Sequence, residues 1–262
     1  VCTHVLAAHL VTVLRHKGYL RQVPTVGIVT DFTLHPFWED TVIDYYITPS
    51  HLMNLQLAKR GLPLQKVVPL GIPIGEQFSR RLSKSEARSR LGIADKDTVL
   101  VMSGSMGYGN IAKTIEELDS VPLDFQVLCV CGNNHRAKKK IDRMIPRKRV
   151  YNYGYVNQVD VMMDAANCIV SKPGGLTTSE ALAKGLFMVV MNPIPGQEER
   201  NGEFLVNNGV ALRVSKTVSL DEAVYQVLTN EWRKERGGEL IGYLGKPQAA
   251  SDLAEFLFSL VS

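Results

Sequence analysis

NCIVSKPGGLTTSEALAKG, residues 167–185, decides the architecture, together with LFMVVM (residues 186–191) and NPIPGQEERNG (residues 192–202) that follow. The apolar start reads as a strand, the Gly174-Gly175 pair as a tight turn, and the remainder as a helix stopped by Gly185. Paired glycines let backbone approach a ligand closely, and a helix start offers free N–H groups to an anion. LFMVVM is a second buried strand, read as leading into a polar loop with Gln197, Glu198 and Asn201. Two strand ends side by side then deliver polar groups to one edge of a parallel sheet.

Outward from this stretch, the same pattern recurs. TVLVMSG (residues 98–104) is a buried strand followed by the glycine loop GSMGYGN and a helix to about Ser120. DFQVLCVCG is a further strand, then a basic helix, then RVYNYGYV and a helix over residues 158–166. Strand–helix alternation predicts an α/β fold, with a parallel sheet and helices on both faces. Upstream, apolar residues at helical spacing over residues 3–16 end at Gly18, and PTVGIVT, DYYIT and KVVPLGIPI read as three short strands. A helix from Ser50 closes at Gly61. Pro247 marks a last helix with an apolar stripe of Leu253, Phe256, Leu257 and Leu260. The expected organisation is a partial first α/β half over residues 1–78, a complete α/β domain over 79–246 and a terminal helix over 247–262, with residues 77–85 as linker.

At 262 residues, with 45% apolar and 21% charged side chains, the chain suits a globular protein of roughly two domains. No apolar run reaches the ~20 residues of a membrane-spanning helix. The four cysteines form no C-x-x-C pair, which points to buried free thiols in a reducing compartment, hence the cytoplasm. The chain opens without Met and directly on a helical pattern, so its true start is expected upstream. Net charge is +4, yet residues 136–149 (RAKKKIDRMIPRKR) carry eight cations against one Asp. Such a run is a solvated helix face or an attraction for anionic lipid; no aromatic RNA-binding motif adjoins it.

Four candidate sites compete with plainer readings. Gly104, Ser105, Met106 and Gly107 occupy the first strand-to-helix turn of the complete domain, where such sheets hold phosphates, although any tight turn accepts glycine. Thr177-Thr178-Ser179-Glu180 is either a capping box, with Glu180 folded back on the helix start, or a carboxylate placed for two vicinal ribose hydroxyls. Gln197, Glu198 and Asn201 suit a sugar, whose hydroxyls need donors and acceptors, though loops are polar anyway. His35 and Asp31, four apart beside Phe37-Trp38, suit acid–base work or simple packing. Asp95-Lys96-Asp97 precedes a strand, at the wrong end for ligand chemistry, and reads as a turn.

The stretches TDFTLHPFW, DYYITPS, GIPI, SGSMG, VLCVCGNN, GYV, SKPGGLTTSEALAKG and NPIPGQEERN resemble the bacterial processive diacylglycerol glucosyltransferases and the plant monogalactosyldiacylglycerol synthases. That family shares a two-domain GT-B fold with the N-acetylglucosaminyltransferase that forms lipid II. PGG-x-T-x-x-E followed one strand later by PGQE is the specific part. The resemblance implies an inverting transfer of glucose or galactose from a UDP-sugar to diacylglycerol or a glycosylated diacylglycerol. It implies a peripheral place at the cytoplasmic membrane face, no metal or other cofactor, and no nucleic-acid partner. Carried onto this chain, Gly104 to Gly107 would face the diphosphate and Val156 the uracil. Gly174, Gly175, Leu176 and Thr177 would line the phosphates with Lys172, Glu180 would hold the ribose, and Gly196, Gln197, Glu198 and Asn201 the hexose. The family's first ~100 residues have no counterpart here, in keeping with a half-sized first domain. With them go a glycine-rich loop and the His expected as base, for which His35 or Asp31 would substitute. N-acetylglucosaminyl transfer to a polyprenyl acceptor, UDP-sugar 2-epimerisation and a binding module without activity remain as alternatives.

Overall fold

The computed structural model describes residues 1–20, 22–104 and 109–261. Nine strands and eleven α-helices are described, in two parallel sheets. The first sheet has the order β1 (Val26–Ile28), β2 (Tyr45–Ile47), β3 (Val67–Val68), flanked by α1 (Val5–His16) and α2 (Asn54–Lys59). The second is built from β4 (Thr98–Met102), β5 (Gln126–Val130), β6 (Val150–Tyr153), β7 (Cys168–Ser171), β8 (Phe187–Val190) and β9 (Ala211–Arg213), ordered β6-β5-β4-β7-β8-β9. Its helices are α3 (Lys84–Leu91), α4 (Ile111–Ser120), α5 (His135–Ile141), α6 (Val159–Ala165), α7 (Gly175–Ala183), α8 (Gln197–Asn207), α9 (Leu220–Thr229) and α10 (Glu231–Leu244), before a terminal α11 (Ala249–Ser259).

The continuous apolar runs of β5, β7 and β8 are buried at every position, as expected of central strands covered on both faces. The chain starts the large sheet in its middle, at β4, builds outward through β5 and β6, then crosses to β7 on the other side. The crevice beyond the carboxyl ends of β4 and β7 is therefore the switch point where open α/β sheets bind ligands.

The halves exchange packing at both crossovers. Ile72, Ile74 and Phe78 already belong to the core of the second half, so the change of core comes near Gly71, ahead of the polar stretch expected as linker. A Cβ on Gly71 would stand 2.6 Å from the Lys246 Cβ, so the two crossover segments touch. Downstream, α11 returns to the first sheet: Leu253 packs with Val26, Ile28 and Ile47, and Phe256 sets its ring edge on Tyr45. Residues 247–261 thus complete the smaller half. All four cysteines are free and buried. No helix among the described residues is long and apolar enough to cross a membrane.

Candidate functional site

At the carboxyl end of β7, Gly174 is the N-cap of α7 in extended conformation and makes no side-chain cap. The first helical hydrogen bond across this start runs from the Thr178 N–H to the Gly174 carbonyl, 2.9 Å. The N–H groups of Gly175, Leu176 and Thr177 precede it and have no acceptor one turn back, so they face the crevice as an anion cradle. This start also removes the capping-box alternative for Thr177 and Glu180. Thr177 lies inside the helix rather than at its cap, because the glycine pair begins the helix two residues earlier.

Glu180, nearly two turns into α7, is half-buried, and its carboxylate has no hydrogen bond or ion pair among the described residues. Burial alone pushes its pKa up to about 7. An unmet carboxylate at a switch point awaits donors from elsewhere.

Across the crevice, β4 leads into a glycine loop of which Gly104 (φ +69°) and Gly109 (φ +93°) are described, both in left-handed backbone that favours glycine. Ser105, Met106 and Gly107 lie outside the described residues. Val156, after β6, is partly buried against the core of the second half, at the same carboxyl edge.

Gln197, Glu198 and Asn201 are not in a loop: they open α8, for which Gly196 is the N-cap and Glu199 returns to the Gly196 N–H at 3.4 Å. Residues 197 and 201 therefore share one helix face, and that face meets the first half. The Gln197 amide donates to the Thr33 carbonyl and hydroxyl, both at 2.9 Å, leaving its Oε1 without a partner among the described residues. Asn201 is fully buried and donates to Asp31 Oδ1 (2.8 Å) and the Pro173 carbonyl (3.0 Å) while accepting from the Phe32 N–H (2.9 Å). Its amide is committed to joining the halves rather than to a ligand. Glu198 accepts from Lys172 Nζ at 3.0 Å and from the Ile194 N–H at 2.7 Å. Gly174 lies beside it, its notional Cβ 3.9 Å from Glu198 Oε1.

The first half closes on this edge so tightly that a Cβ on Gly175 would overlap the Thr30 carbonyl oxygen. Beyond Thr30 opens a cleft of about 310 Å³, lined by Val5, Leu6, Asp31, His35, Phe37 and Gln197. Burial raises the Asp31 pKa, and the nearby Glu198 adds to it, against the Asn201 hydrogen bond and His35. His35 caps the short Pro36–Trp38 turn, its Nδ1 accepting from the Phe37 N–H at 3.2 Å, and stacks edge-on against Phe37. The structure thus brings Asp31, His35 and Gln197 to one apolar cleft. Thr33 is the site neighbour that sequence reasoning missed, having no signal beyond its place in TDFTLHPFW. Asp95–Asp97 sits before β4, with Asp95 held by Arg88 and Ser85, as the turn reading expects.

Comparison with known proteins follows the same division. Residues 83–239 match the family described as glycosyl transferases group 1, and residues 1–74 match monogalactosyldiacylglycerol (MGDG) synthase. The processive diacylglycerol beta-glucosyltransferase of Bacillus licheniformis is 32% identical over 213 residues, covering 80% of this chain and 55% of that protein. The enzyme of the same description from Bacillus subtilis is 30% identical over 217 residues, with 80% and 56% covered. The chain therefore spans little more than half the length of these relatives. Among solved structures, the kitacinnamycin glycotransferase aligns with a TM-score of 0.66 at 17% identity, over 96% of this chain and 74% of that one. Acinetobacter baumannii MurG aligns with a TM-score of 0.60 at 16% identity, over 97% and 69%. These two likenesses establish the GT-B arrangement of the fold.

Proposed function

The chain belongs to the family of glycosyl transferases group 1, and from that premise we propose that it transfers a hexose from a UDP-sugar to diacylglycerol or a glycosyl-diacylglycerol, with inversion. The observation that carries this reading is the open first turn of α7 at the switch point with the unpartnered Glu180 carboxylate nearly two turns behind it. The diphosphate sits on the N–H groups of Gly175, Leu176 and Thr177, with Gly104 opposite and Lys172 adding positive charge. The ribose hydroxyls donate to Glu180, and Val156 borders the base. The hexose lies at Gly196, Gln197 and Glu198, where the free Gln197 Oε1 accepts a hydroxyl. Asn201 acts as a positioning residue that fixes Asp31 against the donor edge. The acceptor hydroxyl enters through the apolar cleft, with Asp31 or His35 placed to take its proton.

The test is UDP titration against pH. Only ionised Glu180 accepts from both hydroxyls, so its folded pKa near 7 makes binding strengthen as pH rises through 7. Binding near that pH releases a proton, read by calorimetry in buffers of different ionisation enthalpy. Glu180→Gln is expected to weaken UDP by about 1–3 kcal/mol and to abolish the proton release. The stability sign is opposite. A raised carboxyl pKa costs the native state stability as pH climbs from the ordinary carboxyl range towards 7, so Glu180→Gln should melt higher than the parent at pH 8. Unchanged UDP affinity with a lowered melting temperature would sink the assignment.

The basic run supplies the contact with the bilayer. Arg136, Lys139, Lys140 and Arg143 are exposed and make no ion pair among the described residues, whereas Lys138 pairs with Asp142 and Arg147 with Asp119. Ile145, 99% exposed, stands among them as an apolar contact. Each free cation contributes about 1 kcal/mol at an anionic surface. Changing the four to Gln should weaken partition onto phosphatidylglycerol vesicles, read by sedimentation, by on the order of a thousandfold, without altering binding to phosphatidylcholine. Parent-like binding of the variant to phosphatidylglycerol vesicles would remove this surface from the proposal.

A further inference from the structure

A second charged cavity lies at the opposite end of the large sheet. It measures about 220 Å³ and opens beneath the amino ends of β7 and β8, between α3, α9 and α10. Three of its lining side chains are cations, Lys84, Arg233 and Lys234, and none is a carboxylate. Phe187, Val227 and Ile241 form an apolar wall.

The charges are poorly compensated. The Lys84 ammonium donates to the Ala166 carbonyl, a neutral acceptor, and Asp164 and Asp97 attract it without a direct ion pair among the described residues. Among the described residues Arg233 reaches only the neutral Gln226 amide, at 3.5 Å, and its Nε is buried with no acceptor. Lys234 is the exception, paired with Glu231 at 2.8 Å on the rim. All three cations also stand in the first turns of helices, Lys84 opening α3 and Arg233 and Lys234 in the first turn of α10. Positive side chains there oppose the helix dipole, where carboxylates are the stabilising choice. A buried N–H without a partner calls for an explanation of its own. Local rules broken together without internal compensation mark functional places.

We propose that this cavity binds a phosphate-bearing small molecule, its phosphate held by Lys84, Arg233 and Lys234 and its apolar part against Phe187, Val227 and Ile241. Arg233 presents a planar donor fork suited to phosphate oxygens, and Lys84 a point charge. The volume holds a phosphate and a group the size of a phenyl ring, not a nucleotide sugar. The site stands apart from the crevice at the carboxyl ends of the strands, and the inference does not depend on the donor assignment.

Calorimetric titration with phenyl phosphate tests it, with inorganic phosphate as the probe lacking an apolar part. With UDP present at saturation, one site per chain is expected, with phenyl phosphate bound at least tenfold tighter than inorganic phosphate. Arg233→Gln and Lys84→Met, each checked by thermal melting for a folded chain, should weaken phenyl phosphate at least tenfold. Saturating UDP should leave it unchanged. Dihexanoyl phosphatidic acid, titrated as monomer, distinguishes the natural source. Tighter binding than phenyl phosphate assigns a lipid headgroup, and weaker binding assigns a soluble phosphate ester. Absence of phenyl phosphate binding at millimolar concentration would overturn the proposal. So would binding that survives Arg233→Gln but is displaced by UDP.

Discussion

Replacing Lys184 by methionine is expected to cost about 3–5 kcal/mol of stability, the largest single-residue effect on folding in this chain. Lys184 and Asp164 form an ion pair of 2.7 Å whose side chains are only 1% and 3% exposed. The ammonium also donates to the Arg80 carbonyl, and the same Asp164 oxygen accepts from the Leu82 N–H at 3.2 Å. This cluster fastens the segment leaving the first half to α6 and to the end of α7. Methionine fills most of the volume but leaves the Asp164 carboxylate buried without its counter-charge. The melting temperature should fall by on the order of 10 °C, since each kcal/mol moves a chain of this size by about 2–4 °C. Adding Asp164→Leu to the first change should recover much of the loss, because a buried pair is worth little against a well-packed apolar one. A single variant that melts with the parent would show that the pair does not hold this joint.

Under the proposed function, Gly175→Ala is expected to strike turnover rather than folding. The added methyl would occupy the position of the Thr30 carbonyl oxygen, and backbone on both sides leaves no flexible tip to yield. The halves must part, and with them Asp31 and Thr33 from Asn201 and Gln197. A misplacement of about 1 Å at a reacting centre costs on the order of a hundredfold in rate. Hexose transfer to diacylglycerol in mixed micelles should fall by that order, while UDP affinity stays within about threefold, because the donor groups other than the interface all lie in the second half. The Phe32 amide, bonded to Asn201 in the parent, should exchange with solvent faster. Full turnover in the alanine variant would mean that this closed approach is not the working one.

Much of the fold was legible because its signals are local. TVLVM, QVLCV, CIVS and FMVV read as buried strands since a central parallel strand is a near-continuous apolar run, here broken only at the ends by Thr98, Gln126 and Ser171. The glycine pair after β7 was legible as a helix start for the same reason. Two readings failed where a local rule had a rival the sequence does not rank. Thr177 to Glu180 spells a capping box, but Gly174 takes the cap first. Pro195-Gly196 reads as loop punctuation, yet the polar residues after it form the first turn of α8, whose buried Leu205 comes only later in the helix.

By itself the sequence determined the two-part α/β plan, the strand ends that carry the candidate site, and which polar side chains stand near them, since hydrophobic period and turn chemistry act over a few residues. Only the tertiary structure decided what those side chains do. Gln197 meets Thr33 across 164 positions, and Asn201 meets Asp31 across 170. Whether an amide faces a sugar or ties two halves together depends on how closely separate cores approach. No local pattern encodes that distance. The same closure turns Gly175 from a flexible turn residue into a point of backbone contact. Burial without a partner, likewise a property of the packed chain, is what moves the Glu180 carboxyl to about 7.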